Sequence, residues 1–261
     1  MISTLIMPVA VSALTVASMM LLVWVSSLIL KGASLVDRFW GLGFVLSSIA
    51  VAVYTGLGTT PAIVLLLIVS IWGLRLTLYL TWRNWGHGED YRYVAMRQRW
   101  GNAFALKSLL FVFAFQGLIL WWVVLPITIG MTEAPEIWHW THSVGLLFWA
   151  IGLFFESVGD RQLARFKANP ENKGKVLCTG VWRYTRHPNY FGDALVWWGI
   201  YCFVCAGDLA RWTLLSPLLM NFFLLRVSGV PLTEKRLAKT RPEYADYVAH
   251  TSRFIPWPPK S

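Results

Sequence analysis

A run of basic, aromatic and amide-bearing residues leads directly into an apolar stretch in the second half of the chain. The run is TGVWRYTRHPNYFGD, and ALVWWGIY follows it. Guanidinium groups bind phosphates through paired hydrogen bonds, and amide and carboxylate groups suit hydroxyls and carboxamides. Charged groups at the edge of an apolar span are costly unless they are paired or hold a ligand. We therefore interpret this motif as part of a ligand site, and we expect a helix to begin just after Pro188.

Three further polar clusters accompany the motif. Arg75, Tyr79 and Arg83 are spaced four residues apart, which places them on one helix face, and Asn84 follows them. The segment 88–93 reads GEDYRY and brings two acids, an arginine and two tyrosines into one loop. The third cluster joins two acids in i, i+4 register to nearby basic residues: Glu156, Asp160, Arg161, Arg165 and Lys167.

A large anionic ligand with hydrogen-bonding rings would account for this mixture of side chains. Tyrosine and tryptophan offer stacking faces for such rings. The chain has neither a P-loop nor the glycine-rich fingerprint that follows a strand, so membrane helices and their loops would have to hold any nucleotide. The alternative for each residue alone is structural: an arginine that anchors topology, an aromatic in an interfacial belt, or an acid paired with a neighbouring arginine.

Composition identifies the class of protein. Of the 261 residues, 56% are hydrophobic and only 14% are charged, and mean hydropathy is +0.54. A soluble domain carries roughly 25% charged residues, so the sequence predicts a polytopic membrane protein. The net charge of +10 resides in loops between apolar runs, which argues against nucleic-acid binding. Three cysteines in apolar surroundings predict neither a disulfide framework nor a metal site.

Apolar runs predict an all-α fold of seven transmembrane helices in a single domain, 1–261. A spanning helix needs about 20 mostly apolar residues. The runs that meet or approach this length are 4–30, 35–55, 61–82, 105–130, 138–158, 190–206 and 211–230.

The distribution of positive charge predicts the orientation. All but Arg211 of the 23 Lys and Arg lie on one side of the predicted spans. By the positive-inside rule that side is cytoplasmic, which puts the N-terminus outside and the tail 231–261 in the cytoplasm. Residues 233–247 of the tail predict one short amphipathic helix, which the segment FIPWPP follows.

The run TGVWRYTRHPNYFGDALVWWGIY, with GEDYRY and SLVDRFWG, resembles the bacterial branch of the steroid 5-alpha-reductase family over nearly the whole chain. The resemblance implies a monomeric enzyme of the bacterial inner membrane with its NADPH site facing the cytoplasm. It implies reduction of the C4–C5 double bond of 3-oxo-4-ene steroids or similar lipid enones. Hydride goes to the β-carbon, and a donor polarises the ketone.

The resemblance also assigns roles to residues. Asn189 and Asp193 match the nicotinamide-side groups, and Glu156 stands where the family has an asparagine. The order Arg83–Asn84 is inverted relative to the family. The full set expected to bind the cofactor is Arg75, Tyr79, Arg83, Asn84, Glu89, Asp90, Arg92, Tyr93, Asp160, Lys167, Arg183, Tyr184, Arg186, His187, Asn189, Asp193 and Arg226.

The expected catalytic pair is Asp37 and Trp72. Asp37 corresponds to the family's second-span acid, and Trp72 falls where the family has a tyrosine. An indole N–H donates a hydrogen bond but cannot act as an acid near neutral pH. Asp37 would then have to be protonated to serve as the donor, and burial favours that form.

Two other functions remain open on sequence alone. The RHPNY motif and the C-terminal pattern also fit an S-adenosylmethionine-dependent membrane methyltransferase of the isoprenylcysteine carboxyl methyltransferase type. GEDYRY and Asp37–Arg38 favour the reductase, because they add groups suited to phosphate and ribose. The third function is a lipid-binding or transport protein with a basic inner face, which would not bind nucleotides.

Overall fold

The computed structural model of the chain describes residues 2–227 and 229–260. Helices make up 79% of it, and the described residues include no β-strand, which confirms the predicted all-α class. Backbone contacts divide the chain into two compact units. Unit 1 comprises residues up to 139 with 204–213, and unit 2 comprises 140–203 with the residues from 214 onwards.

Unit 1 is a bundle in which the four longest helices pack on one another. Phe44, Leu65, Trp72 and Leu120 are fully buried in its core. A π-helical turn over Leu109–Ala114 joins the last two helices. The helices are α1 (Ile2–Ile29), α2 (Leu35–Arg38), α3 (Trp40–Thr55), α4 (Thr60–Arg83), α5 (Tyr91–Trp100), α6 (Phe104–Ser108) and α7 (Phe115–Thr132).

Unit 2 is built around the close approach of its two long helices. Gly145, Gly152 and Gly159 recur every seven residues along the first of these helices. A Cβ at Gly152 would lie 2.6 Å from the carbonyl oxygen of Gly192 on the other, so only glycine allows the backbones to come this close. The helices are α8 (Trp140–Ala168), α9 (Pro188–Val204), α10 (Leu215–Phe222), α11 (Val230–Thr240) and α12 (Tyr244–His250).

Five helical segments are long and apolar enough to cross a membrane: Ser3–Ile29, Thr60–Arg83, Tyr91–Thr132, Trp140–Ala168 and Ala210–Thr240. They indicate an integral membrane protein. The other two predicted spans correspond to α3, with 16 residues, and α9, with 17. At 1.5 Å per residue these helices are about 24–26 Å long, short of a hydrocarbon core of about 30 Å. The count of seven spans and the orientation stay predictions.

Local details differ from the sequence predictions in two places. The predicted span 35–55 is interrupted at Phe39, which separates the single turn α2 from α3. The predicted tail helix 233–247 is two helices, α11 and α12. Arg241 precedes Pro242 and adopts extended backbone angles, because a residue before proline is sterically disfavoured in the helical region.

Candidate functional site

In unit 1, the carboxylate of Asp37 is the meeting point of α2 and the start of α5. Asp37 Oδ2 accepts a hydrogen bond from Arg92 Nη2 at 3.0 Å, and Oδ1 accepts one from the Tyr93 hydroxyl at 2.9 Å. Asp90 caps α5 by accepting from the backbone N–H of Arg92, and its carboxylate also accepts from the Arg92 side chain. The cap therefore fixes Arg92 and Tyr93 at the residues where they reach Asp37.

The other acid of the GEDYRY loop also has partners inside unit 1. Glu89 Oε1 accepts from the backbone N–H of Ala33 at 2.6 Å and from Arg97 Nη2 at 3.0 Å. The Arg97 guanidinium in turn lies 4.0 Å from the ring centroid of Phe104. The loop is thus docked onto the segment that precedes α2.

Two residues that the sequence reasoning missed extend this network into the bundle. Gln116 donates from Nε2 to the Tyr93 hydroxyl at 3.3 Å, and its Oε1 accepts from Trp40 Nε1 at 2.7 Å. The signal in the sequence was Gln116 itself, because it is the single side-chain amide in the apolar run 105–130. A polar residue inside a membrane helix is a functional candidate by default.

The face predicted on α4 is present. The Arg75 and Arg83 guanidinium carbons lie 5.2 Å and 5.6 Å from the Tyr79 ring centroid, as the four-residue spacing predicted. The Asn84 carbonyl accepts a hydrogen bond from Arg38 at 3.1 Å. Trp72 lies elsewhere, in the core of unit 1, where its ring packs against Phe44 with centroids 5.6 Å apart.

In unit 2, the glycine contacts between α8 and α9 bring two predicted residues together. Asn189, in the first turn of α9, donates to Asp160 Oδ1 at 3.3 Å. Glu156 and Asp160 are both buried on α8, as their i, i+4 spacing predicted for a shared face. The helix α9 begins at Pro188 itself, whereas the sequence predicts a start just after it.

The C-terminal tail holds the segment before α9 in place. The Arg186 backbone N–H donates to the carbonyl of Ser252, and the Thr185 hydroxyl donates to the carbonyl of Phe254. The Tyr247 hydroxyl donates to the carbonyl of Trp182 at 2.5 Å. The backbone of the RHPN motif is therefore fixed by residues that lie more than 60 positions later in the chain.

A single carboxylate gathers the charged side chains of this motif. Glu234 pairs with Arg186 at 2.9 Å and with Arg253 at 3.3 Å, and the ring of His187 lies 3.4 Å away. Burial lowers the pKa of His187 to about 4, although the Glu234 carboxylate opposes that shift. His187 is therefore neutral at pH 7, stacked on the Tyr190 ring, and contributes no positive charge to the site.

A cavity of about 320 Å³ opens beside this charged cluster in unit 2. Its described lining carries five basic residues and no acidic one. The aromatic rings of Phe166, Trp182 and Tyr247 and the amides of Asn169 and Asn172 complete its walls. The basic residues are Lys167, Lys173, Lys175, Arg186 and Arg241.

Comparison with known proteins places the chain in a family. Residues 23–251 match the profile of a family described as "Protein of unknown function (DUF1295)". The chain belongs to the DUF1295 family. The match covers Asp37 and Arg92 of unit 1 and the cavity of about 320 Å³ in unit 2, which we call the cationic cavity.

Two curated proteins are similar to this DUF1295 member. An uncharacterised protein of Schizosaccharomyces pombe is 28% identical over an alignment of 268 positions including gaps, which covers 89% of this chain and 75% of the yeast protein. A steroid 5-alpha-reductase of Gossypium hirsutum is 28% identical over 67 residues, which cover 26% of each protein. No solved structure matches the chain.

The predicted site residues of this family member fall into separate groups. In unit 1, Asp37, Asp90, Arg92 and Tyr93 share one hydrogen-bonded cluster, and Glu89 pairs separately with Arg97. In unit 2, Lys167 and Arg186 line the cationic cavity. The catalytic and cofactor-binding roles assigned to these residues stay predictions.

The remaining predicted residues of unit 2 lie outside the cationic cavity. Arg183 lines a second, more open cavity of about 570 Å³, together with the acids Glu243 and Asp246. Tyr184 and Arg226 are exposed. Lys173, Lys175 and Arg241 also line the cationic cavity, and sequence reasoning did not single them out because no local motif distinguishes them from the other basic residues of the loops and tail.

Proposed function

We propose that the protein is an NADPH-dependent membrane reductase that acts on lipid enones such as 3-oxo-4-ene steroids. In this proposal seven helices span the bacterial inner membrane and the cofactor site faces the cytoplasm. The similarity to a steroid 5-alpha-reductase of cotton supports the reaction class. The observation that carries the cofactor assignment is the cationic cavity of unit 2.

The charge of this cavity favours a phosphate-rich cofactor. Five cations lie around about 320 Å³ with no carboxylate in the described lining, so the potential inside is strongly positive. NADPH carries a pyrophosphate and a 2′-phosphate, which guanidinium and ammonium groups bind. Trp182 and Tyr247 add the aromatic surface that an adenine ring packs against.

The groups on α8 and α9 suit the opposite end of the dinucleotide. The Asp160–Asn189 pair offers a carboxylate and an amide for ribose hydroxyls and a carboxamide. Asp193 lies one helical turn beyond Asn189 and extends the same face. NADPH, when bound, supplies the hydride. The chain's own groups bind the cofactor, orient it and exclude water.

S-adenosylmethionine fits the cavity less well. Its reactive sulfonium is cationic and it has no phosphate, so five basic side chains would repel it rather than select it. The buried carboxylates Glu156 and Asp160 of unit 2 would suit a sulfonium. The methyltransferase therefore remains the comparator in the test of cofactor binding.

Ligand-induced stabilisation of the purified protein tests the proposal. We expect NADPH to raise the thermal midpoint in detergent, NADH to raise it less, and S-adenosylmethionine to leave it unchanged. NADPH oxidation should then depend on a 3-oxo-4-ene steroid or a simpler lipid enone. Stabilisation by S-adenosylmethionine alone would establish the methyltransferase, and stabilisation by neither would favour the lipid-binding function.

A further inference from the structure

The hydrogen-bonded network of unit 1 has donor-only groups at both ends. Trp40 Nε1 donates at one end and the Arg92 guanidinium donates at the other, and neither group can accept. Between them lie Gln116, Tyr93 and Asp37. The donor and the acceptor in each of these hydrogen bonds are therefore determined.

The direction follows from the Trp40 end. The indole N–H requires an acceptor, so the Gln116 carbonyl must face Trp40 and the amide N–H must face Tyr93. The Tyr93 oxygen then accepts from Gln116, and its one proton must point away, toward Asp37 Oδ1 at 2.9 Å. The network thus presents Tyr93 as a hydrogen-bond donor.

Asp37, in contrast, is arranged as an acceptor. Oδ2 accepts from the Arg92 guanidinium and Oδ1 accepts from the Tyr93 hydroxyl. Both oxygens of Asp37 therefore face donors, and neither supplies the proton of these hydrogen bonds. Trp72 packs against Phe44 and belongs to the buried core. The unit therefore offers Tyr93 as the hydroxyl donor that enone reduction requires.

We infer that Tyr93 is the catalytic donor to the substrate ketone and that Gln116, Trp40 and Asp37 are positioning residues that orient its proton. The inference rests on the proposed reductase function. Of the hydrogen-bonded residues Asp37 and Tyr93, solvent reaches Asp37, whose side chain is 31% exposed, whereas Tyr93 is 3% exposed. When a ketone oxygen replaces Asp37 Oδ1 as the acceptor of the Tyr93 hydrogen bond, Arg92 still pairs with Asp37, so the exchange leaves no unpaired carboxylate.

The step balances in protons and electrons. Hydride from NADPH adds to the β-carbon, the π pair of the C=C bond moves to join the α-carbon to the carbonyl carbon, and the C=O π pair moves onto oxygen. The Tyr93 hydroxyl donates a hydrogen bond to that oxygen and stabilises the enolate. Water then protonates the α-carbon as the C=O bond forms again, and hydroxide is released to the solvent. One hydride and one proton are consumed for each double bond reduced.

Tyr93→Phe is the direct test, and Tyr91→Phe is its matched control on the same helix, because Tyr91 is exposed. Loss of one donor to a developing oxyanion costs about 10²–10³-fold in kcat, and we expect a loss of that size for Tyr93→Phe alone. Stabilisation by NADPH should be unchanged in both variants. Trp72→Phe should cost much less than Tyr93→Phe.

A second variant keeps side-chain volume constant. Gln116→Glu replaces the amide donor with an acceptor and draws the Tyr93 proton away from the substrate. We expect a lower kcat and a shifted pH profile, with NADPH stabilisation retained. Wild-type rates in Tyr93→Phe would overturn the inference while leaving the reductase intact. A wild-type protein that neither binds NADPH nor reduces an enone would overturn the proposed function itself.

Discussion

The two polar regions of the molecule differ in how their charges are satisfied. In unit 1, three carboxylates and two guanidinium groups pair with one another, and the remaining bonds end on neutral groups. In unit 2, five cations line one cavity, and one of them, Arg186, pairs with Glu234. A closed network fixes the direction of a proton, and an excess of one charge attracts an oppositely charged ligand.

The sequence predicts that the acids and Arg92 of GEDYRY bind the cofactor, because arginine, acid and tyrosine all suit a dinucleotide. That role stays a prediction. The observed partners of these side chains are residues of unit 1 such as Asp37, Ala33 and Arg97. The polar groups of unit 1 thus pair with one another, whereas basic groups of unit 2 line a cavity.

Charge reversal in the cavity should produce the largest effect. Lys173→Glu with Lys175→Glu changes the lining from five cations to three cations and two acids. We expect the Kd for NADPH to rise about 100-fold, or about 2.7 kcal/mol, measured by titration of NADPH fluorescence. The matched control is Lys235→Glu with Lys239→Glu, which changes the same charge on the exposed face of α11. Equal losses in both variants would mean that the cavity is not the binding site.

The next comparison is between one arginine of each region. Arg186 is 8% exposed and pairs with a carboxylate that is 21% exposed, whereas Arg92 is 37% exposed. Removing one partner of a buried ion pair leaves the other charge buried with fewer partners, so Arg186→Gln should lower the free energy of unfolding by about 2 kcal/mol. Arg92→Gln should cost about 1 kcal/mol. Denaturant titration in detergent measures both, and a larger loss for Arg92→Gln would contradict this ranking of burial.

Sequence reasoning predicted the helices well because burial of apolar side chains determines where a membrane helix lies. It predicted contacts within one helix equally well, as at Arg75, Tyr79 and Arg83. The break at Phe39 was missed, because hydropathy does not register a single turn whose polar side chains bind a distant loop.

Contacts between distant segments could not be predicted from periodicity. Asp37 and Tyr93 are 56 positions apart, and Arg186 and Glu234 are 48 apart. The glycines that bring Asp160 to Asn189 are visible in the sequence at seven-residue spacing, but the pairing of α8 with α9 is a property of the fold. Residue types therefore indicated what each group could bind, and the fold determined what each group does bind.

The third prediction concerns pH and is confined to unit 2. His187 has a folded-state pKa of about 4, below the unfolded value of about 6.5. The unfolded chain therefore binds this proton first, and stability falls as pH drops through this window. Between pH 7 and 5.5 we expect a loss of about 1 kcal/mol in the free energy of unfolding. His187→Gln, which cannot take up the proton, should flatten that part of the curve; an unchanged slope would exclude His187 as its source.

The smallest predicted effect is the response of NADPH binding to salt. It distinguishes the cavity of unit 2 from the network of unit 1 without a substitution in the cavity. Three cavity cations, Lys167, Lys173 and Lys175, are exposed, so mobile ions reach them. The Debye length falls from roughly 14 Å to about 4 Å between 50 and 500 mM NaCl. We expect the Kd for NADPH to rise about threefold, less than 1 kcal/mol.

The unit 1 network should not respond to salt in the same way, because its donors and acceptors pair internally at 2.7–3.3 Å. The ratio of kcat between wild type and Tyr93→Phe, measured at saturating NADPH, should therefore be the same at both salt concentrations. A ratio that falls toward one at high salt would show that Tyr93 acts through long-range charge. A constant ratio beside a weakened Kd requires an anion site in one unit and a proton-donating site in the other.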